Sequence, residues 1–363
     1  MKVKPKCYVA AARIAPLKNE VEVQPAPPHV GDLIAVKVTG KTGVYTYVEN
    51  HVGEKVNLYP GDIFVAVIGY KKSTVNIVGE PPEKLDPGCK IYLLTFGGLV
   101  GNVVDVAYGL EYPLELEYIG SLVDDGEIAN LKRYRRIEWR DDLGKTAPVI
   151  LVIGSSAESG KSTAVGNIVK ALVKRGYKVA GVKLSGVAAL RDHLRMKNAG
   201  ADPVYDFVDA GLPSTYTDPK TVLSVAKGIL YKANESRPDV IVAEMGGNLL
   251  GYRTVVPILL DREIMGNVTS IVLAASDALA AYGGVHIARE HYGIEIDLVT
   301  GPATDTVTGL KLIERYIGVK AMNLQNPANA EKITDYLLEK RVKRPRVSEF
   351  VKEILRKVPE LRS

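Results

Sequence analysis

The second half of this 363-residue chain contains one stretch that predicts its fold, Val149-Ile-Leu-Val-Ile-Gly-Ser-Ser-Ala-Glu-Ser-Gly-Lys-Ser-Thr163. Its apolar run, Val149–Ile153, predicts a buried strand, and the apolar spacing that follows predicts a helix over Ser162–Arg175. Small residues and a lysine between a strand and a helix are what a phosphate-binding loop requires, because successive backbone N–H groups can then surround the phosphates. The sequence therefore predicts such a loop at Gly154–Thr163.

This loop predicts a nucleoside triphosphate and Mg²⁺ as ligands. Lys161 is expected to reach the terminal phosphates, and the Ser162 hydroxyl to take one position on Mg²⁺. Further contacts are expected from the other loop residues: Ser156, Ala157, Glu158, Ser159, Gly160 and Thr163. The loop departs from the common pattern, because five residues instead of four separate Gly154 from Gly160. A chance Gly-Lys-Ser at the start of a helix is the alternative.

Strands and helices alternate after the loop. Further strands are predicted at Lys178–Val182, Asp239–Ala243, Ser270–Ala274 and Asp297–Thr300. Such alternation indicates an α/β domain, with a mainly parallel sheet covered by helices on both faces.

The N-terminal half has a different pattern. Residues 5–125 contain short runs rich in Val, Ile and Tyr, separated by Gly, Pro and Asp, which predicts a smaller all-β domain. Turn glycines precede three similar runs, at Leu33–Val38, Ile63–Ile68 and Ile91–Thr95, as in a barrel or a sandwich. A charged linker over 126–147 places the boundary near residue 146, giving domains 1–146 and 147–363.

Composition and charge restrict the class of protein. With 46% hydrophobic and 25% charged residues, no apolar run of about 18 residues and no signal-peptide pattern, the chain is expected to be cytoplasmic, with no membrane partner. Scarce glutamine beside abundant Lys, Arg and Glu favours a hot environment, hence a thermophile. The basic cluster over 340–346 and the helical spacing of Val347–Leu355 predict a docked basic helix.

The five-residue spacing resembles the Gly-Thr-Asp-x-x-x-Gly-Lys-Thr loop of dethiobiotin synthetase and its relatives, a branch of the P-loop proteins. That family also has a lysine at the end of its second strand, matched here by Lys183 in Gly181–Gly186, and a Glu-Gly-Ala-Gly-Gly turn, matched by Glu244-Met-Gly-Gly-Asn248. The resemblance covers residues 148–325. By resemblance alone, it implies a substrate site built across a homodimer.

Two acidic residues and a lysine complete the predicted site. Glu244 follows a predicted strand, where open α/β sheets bind ligands, and is expected to hold Mg²⁺. Lys183 is expected to bridge the transferring phosphate and an acidic substrate, or else to be a solvated lysine. By resemblance, Asp192 is a second Mg²⁺ contact, and Asn323 and Asn326 read the base. The absence of Asn-Lys-x-Asp favours ATP over GTP.

Three functions are compatible with these residues. The first is phosphoryl transfer from ATP to a small, acidic molecule, as in a kinase or an ATP-dependent ligase, with Lys161, Lys183, Glu244 and Asp192 as the catalytic groups. The second is a nucleotide-driven switch or chaperone ATPase or GTPase. The third is a polynucleotide end kinase, whose β domain and basic segments would hold a nucleic-acid strand.

Overall fold

The computed structural model describes residues 1–339, and they form two compact units. The first unit contains Met1–Ile137, Val187–Arg191 and Phe207–Tyr216, and the second contains Glu138–Gly186, Asp192–Asp206 and the chain from Thr217 onward. The basic cluster over 340–346 and the helix predicted at Val347–Leu355 lie outside the described residues. Within the described residues, no helix is long and apolar enough to cross a membrane.

The first unit is built from short strands. These are β1 Lys2–Val3, β2 Val21–Gln24, β3 Leu33–Val38, β4 Tyr47–Glu49, β5 Lys55–Asn57, β6 Ile63–Ile68, β7 Ile77–Glu80, β8 Lys90–Leu93, β9 Leu99–Val106, β10 Glu115–Asp124 and β11 Glu127–Ile128. The strands β3, β6, β9, β8 and β10 pair in that order, and β10 pairs again with β3, so they close a barrel. The pair β6–β9 is parallel and the other four pairs are antiparallel.

The turns that feed this barrel explain the repeated glycines. Gly31, Gly61 and Gly88 have φ angles of 90°, 93° and 89°, a left-handed conformation that other residues rarely adopt. Each precedes a strand of the ring, which confirms the strands predicted after them. The barrel interior is filled by fully buried side chains that include Phe64 and Tyr118.

The second unit contains a seven-stranded sheet. Its strands are β12 Val149–Gly154, β13 Val179–Ser185, β14 Val204–Asp206, β15 Val240–Met245, β16 Val268–Ala274, β17 Leu298–Thr300 and β18 Lys320–Ala321. They lie in the order β14-β13-β15-β12-β16-β17-β18, and every pair is parallel. Five of these seven strands were predicted from sequence, β14 and β18 were not, and the predicted α/β fold is confirmed.

Helices connect these strands. They are α1 Lys161–Lys174, α2 Leu190–Asn198, α3 Pro219–Asn234, α4 Val256–Leu260, α5 Arg262–Asn267, α6 Ala278–Tyr292, α7 Val307–Leu312 and α8 Pro327–Leu338. The apolar face of α1, with Val165, Ile168 and Leu172, belongs to the same buried cluster as Ile150 and Val152 of β12. This packing fixes α1 directly behind the loop that leaves β12, so the core positions the start of the helix.

Candidate nucleotide and magnesium site

The loop between β12 and α1 folds back on itself tightly. A Cβ atom on Gly154 would lie 2.5 Å from Ser159 Oγ and 2.6 Å from Lys161 Nζ, so a larger residue there would displace these two side chains. Gly160 precedes the helix with a φ of 91°, and among residues 1–339 no side chain caps the first turn of α1. The backbone N–H groups of that turn therefore lack a side-chain acceptor, which is the arrangement that binds an anion.

Lys161 is held inside this loop. Its Nζ donates to the carbonyl of Ser156 and lies 3.5 Å from the Ala157 carbonyl and from Ser159 Oγ, and the residue is 5% exposed. Burial lowers the pKa of Lys161, because the ammonium has lost most of its hydration. Ser159 is fully buried and donates to the Ser156 carbonyl at 3.0 Å, which holds the same turn closed.

Three oxygen-bearing residues meet at the foot of the loop. Ser162 Oγ lies 2.8 Å from Asp192 Oδ1 and 2.8 Å from Glu244 Oε1. Glu244 is on β15, in register with Lys183 of β13 and with Val152 of β12, so its carboxylate emerges beside the loop strand. Asp192 comes from the first turn of α2. The sheet and α2 thus bring together the three residues predicted to bind Mg²⁺.

Lys183 completes this cluster. Its Nζ donates to Asp192 Oδ2, and the lysine is 6% exposed. Burial by itself would lower the pKa of Lys183, but the charges of Asp192 and Glu244 outweigh it and raise that pKa. Burial and the neighbouring Asp192 raise the pKa of Glu244, whose Oε2 is buried without a hydrogen-bond partner among the described residues.

The glycines after Glu244 let two loops approach closely. A Cβ on Gly246 would lie 2.4 Å from the Ser185 carbonyl, and Gly247 has a φ of 87°. The Gly246 N–H donates to the Ser185 carbonyl at 2.9 Å, while Ser185 Oγ donates to the Gly246 carbonyl at 3.0 Å. These bonds fix the ends of β13 and β15 to each other, and thereby position Lys183 against Glu244.

The two asparagines predicted to read a base have other partners in the structure. Asn326 Oδ1 accepts from the Ala328 N–H and caps α8, while Asn323 Nδ2 donates to Asp305 Oδ1 at 3.0 Å. Gln325 Nε2 lies 3.5 Å from the same Asp305 oxygen, and a Cβ on Gly160 would lie 3.6 Å from that Nε2. Asp305, exposed and five residues after β17, is a candidate base contact to which the sequence assigned no role.

The other residues of the loop are exposed or form hydrogen bonds within the sheet unit. Ala157 and Glu158 are exposed at the loop tip, whereas Thr163 Oγ1 accepts from Arg195 at 2.6 Å. The Ser155 N–H donates to the Ala274 carbonyl at 2.9 Å, which joins the loop to β16.

Comparisons with known proteins leave the family open. No protein-family model and no curated protein sequence matches this chain. Similar solved structures include the signal recognition particle receptor FtsY from Elizabethkingia anophelis in complex with GDP, with a TM-score of 0.38, 16% identity, and coverage of 58% of this chain and 70% of that one.

Two further structures give comparable values. The 54 kDa signal recognition particle protein from Aeropyrum pernix in complex with GDP has a TM-score of 0.36 and 16% identity, and the match covers 60% of this chain and 50% of that one. The cell division protein ftsY from Thermotoga maritima has a TM-score of 0.37 and 19% identity, with 58% and 74% covered. Similarity at this level assigns no activity to the chain.

Proposed function

We propose that this chain is a P-loop protein that binds and hydrolyses a nucleoside triphosphate with Mg²⁺ and works as a nucleotide-driven switch. The observation that supports this most strongly is the position of Ser162 Oγ, 2.8 Å from a carboxylate oxygen of Asp192 and equally far from one of Glu244. A hydroxyl has one proton and can donate it to only one of them. A divalent cation bound by these oxygens would remove this conflict.

The residues present suit Mg²⁺. Two carboxylates and a hydroxyl are the oxygen ligands that this hard cation prefers, and the buried Oε2 of Glu244 lacks a partner among the described residues. Ser162, Asp192 and Glu244 would hold the ion. Bound there, Mg²⁺ would neutralise charge on the terminal phosphates, while the α1 N-terminus and Lys161 would bind and orient those phosphates.

The cluster favours a switch over transfer to an acidic substrate. Lys183 is buried and paired with Asp192, so its charge balances the carboxylates of the site itself. Phosphate binding would replace the bonds of Lys161 to the loop carbonyls with bonds to phosphate. Mg²⁺ would replace the hydrogen bond between the Ser162 hydroxyl and Asp192 with bonds from both residues to the ion. Since Asp192 is in the first turn of α2, that helix is the element whose position would report the bound nucleotide.

A guanine base suits the far end of the site better than the ATP expected from sequence. The Asp305 carboxylate can accept two N–H groups side by side, which guanine offers through N1 and N2 and adenine does not. Asp305 is exposed, and its neighbour Gln325 lies beside Gly160 at the start of α1.

The resemblance to dethiobiotin synthetase supports a second candidate, phosphoryl transfer to a small acidic molecule, possible for either ATP or GTP. It rests on Lys183, which stands at the end of β13 opposite Glu244, as the family motif requires. In that case the substrate would have to displace Lys183 from Asp192.

Nucleotide turnover measured with and without candidate partners separates these functions. A switch hydrolyses GTP slowly on its own and is accelerated by a protein partner, whereas a kinase or ligase needs a small molecule and forms a phosphorylated or ligated product.

Asp305→Asn is expected to weaken the binding of GTP and to strengthen the binding of xanthosine triphosphate, because the amide can donate to the xanthine O2. Unchanged GTP preference in Asp305→Asn would refute the role of Asp305, and absence of any Mg²⁺-dependent turnover would refute hydrolysis.

A further inference from the structure

Three aromatic side chains of the barrel unit form a cluster that the proposed nucleotide site does not use. The ring of Phe96 lies 5.7 Å from that of Tyr45, edge to face, and 6.2 Å from that of Tyr47, in a stacked arrangement. All three side chains are partly exposed. Partial exposure of neighbouring rings allows a planar ligand to stack on them once it displaces the flexible Lys55 side chain that lies over Tyr47.

Each ring of this cluster has a cation near it. Lys55 Nζ lies 4.4 Å from the centroid of Tyr47, Arg191 Cζ lies 5.1 Å from that of Phe96, and Lys71 Nζ lies 5.5 Å from that of Tyr45. Lys55 and Arg191 are exposed. The cluster therefore presents positive charge together with aromatic surface, and we call these six residues the aromatic–cationic cluster.

Lys71 is the cation of this cluster that is most buried. It is 6% exposed, and among the described residues no carboxylate acts on the pKa of its ammonium. Burial lowers the pKa of Lys71 to about 8. The Glu49 N–H donates to the Phe96 carbonyl, and Glu49 Oε2 accepts from the Leu190 N–H at 2.8 Å. A buried ammonium without a counter-charge is costly, and a bound phosphate would lower that cost.

We propose that the aromatic–cationic cluster binds single-stranded nucleic acid, with bases stacked on the rings and phosphates paired with the three cations. Every base has a π-face, so stacking on Tyr and Phe needs no particular sequence, and cations beside the rings track the backbone. A duplex is a poor ligand for this surface because its bases are already stacked on one another. This activity is separate from nucleotide hydrolysis.

Fluorescence anisotropy with labelled 12-mer oligo(dT) and oligo(rU), in the absence of nucleotide, tests the proposal. Tyr47→Ala is expected to weaken binding roughly 5- to 100-fold, the loss of one stacked base. Three phosphate contacts predict a slope of about −2 for log affinity against log salt, and Lys55→Ala should reduce its magnitude by about 0.7. A 12-base-pair hairpin should bind at least about tenfold more weakly than the single strands.

Tyr59 and Lys6 provide a matched control in the same unit. Lys6 Nζ lies 5.1 Å from the Tyr59 centroid, but it also pairs with Asp62 at 2.6 Å, so its charge is already balanced. Tyr59→Ala and Lys6→Ala should leave oligonucleotide affinity within about twofold of wild type, and thermal unfolding should show that all four variants are folded. The proposal fails if single strands do not bind below roughly 100 μM, if Tyr47→Ala and Lys55→Ala bind as wild type does, or if the hairpin binds equally well. Lys161→Ala should retain oligonucleotide binding, which separates this test from that of the phosphate loop.

Discussion

One buried lysine of each unit, Lys71 and Lys183, can be compared, because the two are equally buried and differ in their partners. Lys71 in the barrel unit and Lys183 in the sheet unit are both 6% exposed. Lys71 faces the ring of Tyr45 and its pKa falls from 10.5 to about 8, whereas Lys183 pairs with Asp192 and its pKa rises. Burial alone therefore disfavours a buried ammonium, and a carboxylate in contact with it reverses the effect.

The largest expected effect concerns the paired lysine. Lys183→Met removes the cation that pairs with the buried carboxylate of Asp192, beside that of Glu244, and is expected to lower the free energy of unfolding by about 3–5 kcal/mol without Mg²⁺. Millimolar Mg²⁺ should restore part of this loss, since the cation replaces the missing charge. Denaturant unfolding with and without Mg²⁺ measures both effects.

Lys174→Met is the control for that experiment. Lys174 is exposed on α1 and pairs with Glu331 at 2.8 Å, so its removal should change stability by no more than about 0.5 kcal/mol. If Lys183→Met proves as stable as Lys174→Met without Mg²⁺, the two carboxylates do not depend on Lys183.

Replacing Lys71 should have the opposite effect on stability from replacing Lys183. Lys71→Met is expected to raise the free energy of unfolding at pH 7 by up to about 3 kcal/mol, because a charge is no longer buried. Between pH 8 and 10.5 the unfolded wild type keeps the Lys71 proton while the folded form has lost it. Wild-type stability should therefore rise with pH over this range, and the advantage of the variant should disappear.

Thermal unfolding at pH 7 and pH 10 checks this expectation. Lys41→Met, at an exposed position in the same unit, corrects for the general effect of pH on the two-unit chain. If Lys71→Met is more stable than wild type by the same amount at pH 10 as at pH 7, Lys71 remains protonated in the folded state, which would contradict its lowered pKa.

The smallest expected effect is on Mg²⁺ affinity and concerns Glu244, whose pKa is raised by burial and by Asp192. Below that raised pKa a proton competes with Mg²⁺, so the affinity of wild type for Mg²⁺ should increase as the pH rises through it. Glu244→Gln should lower Mg²⁺ affinity roughly 10- to 100-fold and remove that pH dependence. Mg²⁺ titrations by calorimetry at several pH values decide this, and an equal pH dependence in both proteins would contradict it.

Local patterns were enough to predict the mainly parallel sheet, the loop between a strand and a helix, and the positions of Ser162 and Glu244 beside that loop. Asp192 was predicted only through the resemblance to dethiobiotin synthetase. The pairing of Lys183 with Asp192 was not predictable, because it depends on the angle at which α2 follows β13. The contacts of Asp305 with Asn323 and Gln325 were not predictable for a similar reason, since they join segments about 20 residues apart.

The barrel unit was less accessible to sequence reasoning. Strands rich in Val and Ile are common to barrels and sandwiches, and closure depends on the parallel pairing of β6 with β9, which no local pattern encodes. The aromatic–cationic cluster was also not predictable, because it joins Tyr45 and Phe96 to Arg191, the second residue of α2, which is distant in sequence.

We propose that the loop between β12 and α1 binds a triphosphate through Lys161 and Mg²⁺. Equilibrium binding of fluorescent GTP and ATP analogues, measured with Mg²⁺ or with a chelator, tests this claim. Wild type and Lys174→Ala should bind in a Mg²⁺-dependent manner, and Lys161→Ala should lose at least about 100-fold in affinity, because a charge-assisted bond to phosphate is gone. Equal affinity of Lys161→Ala and wild type for the Mg²⁺ complexes would contradict the claim.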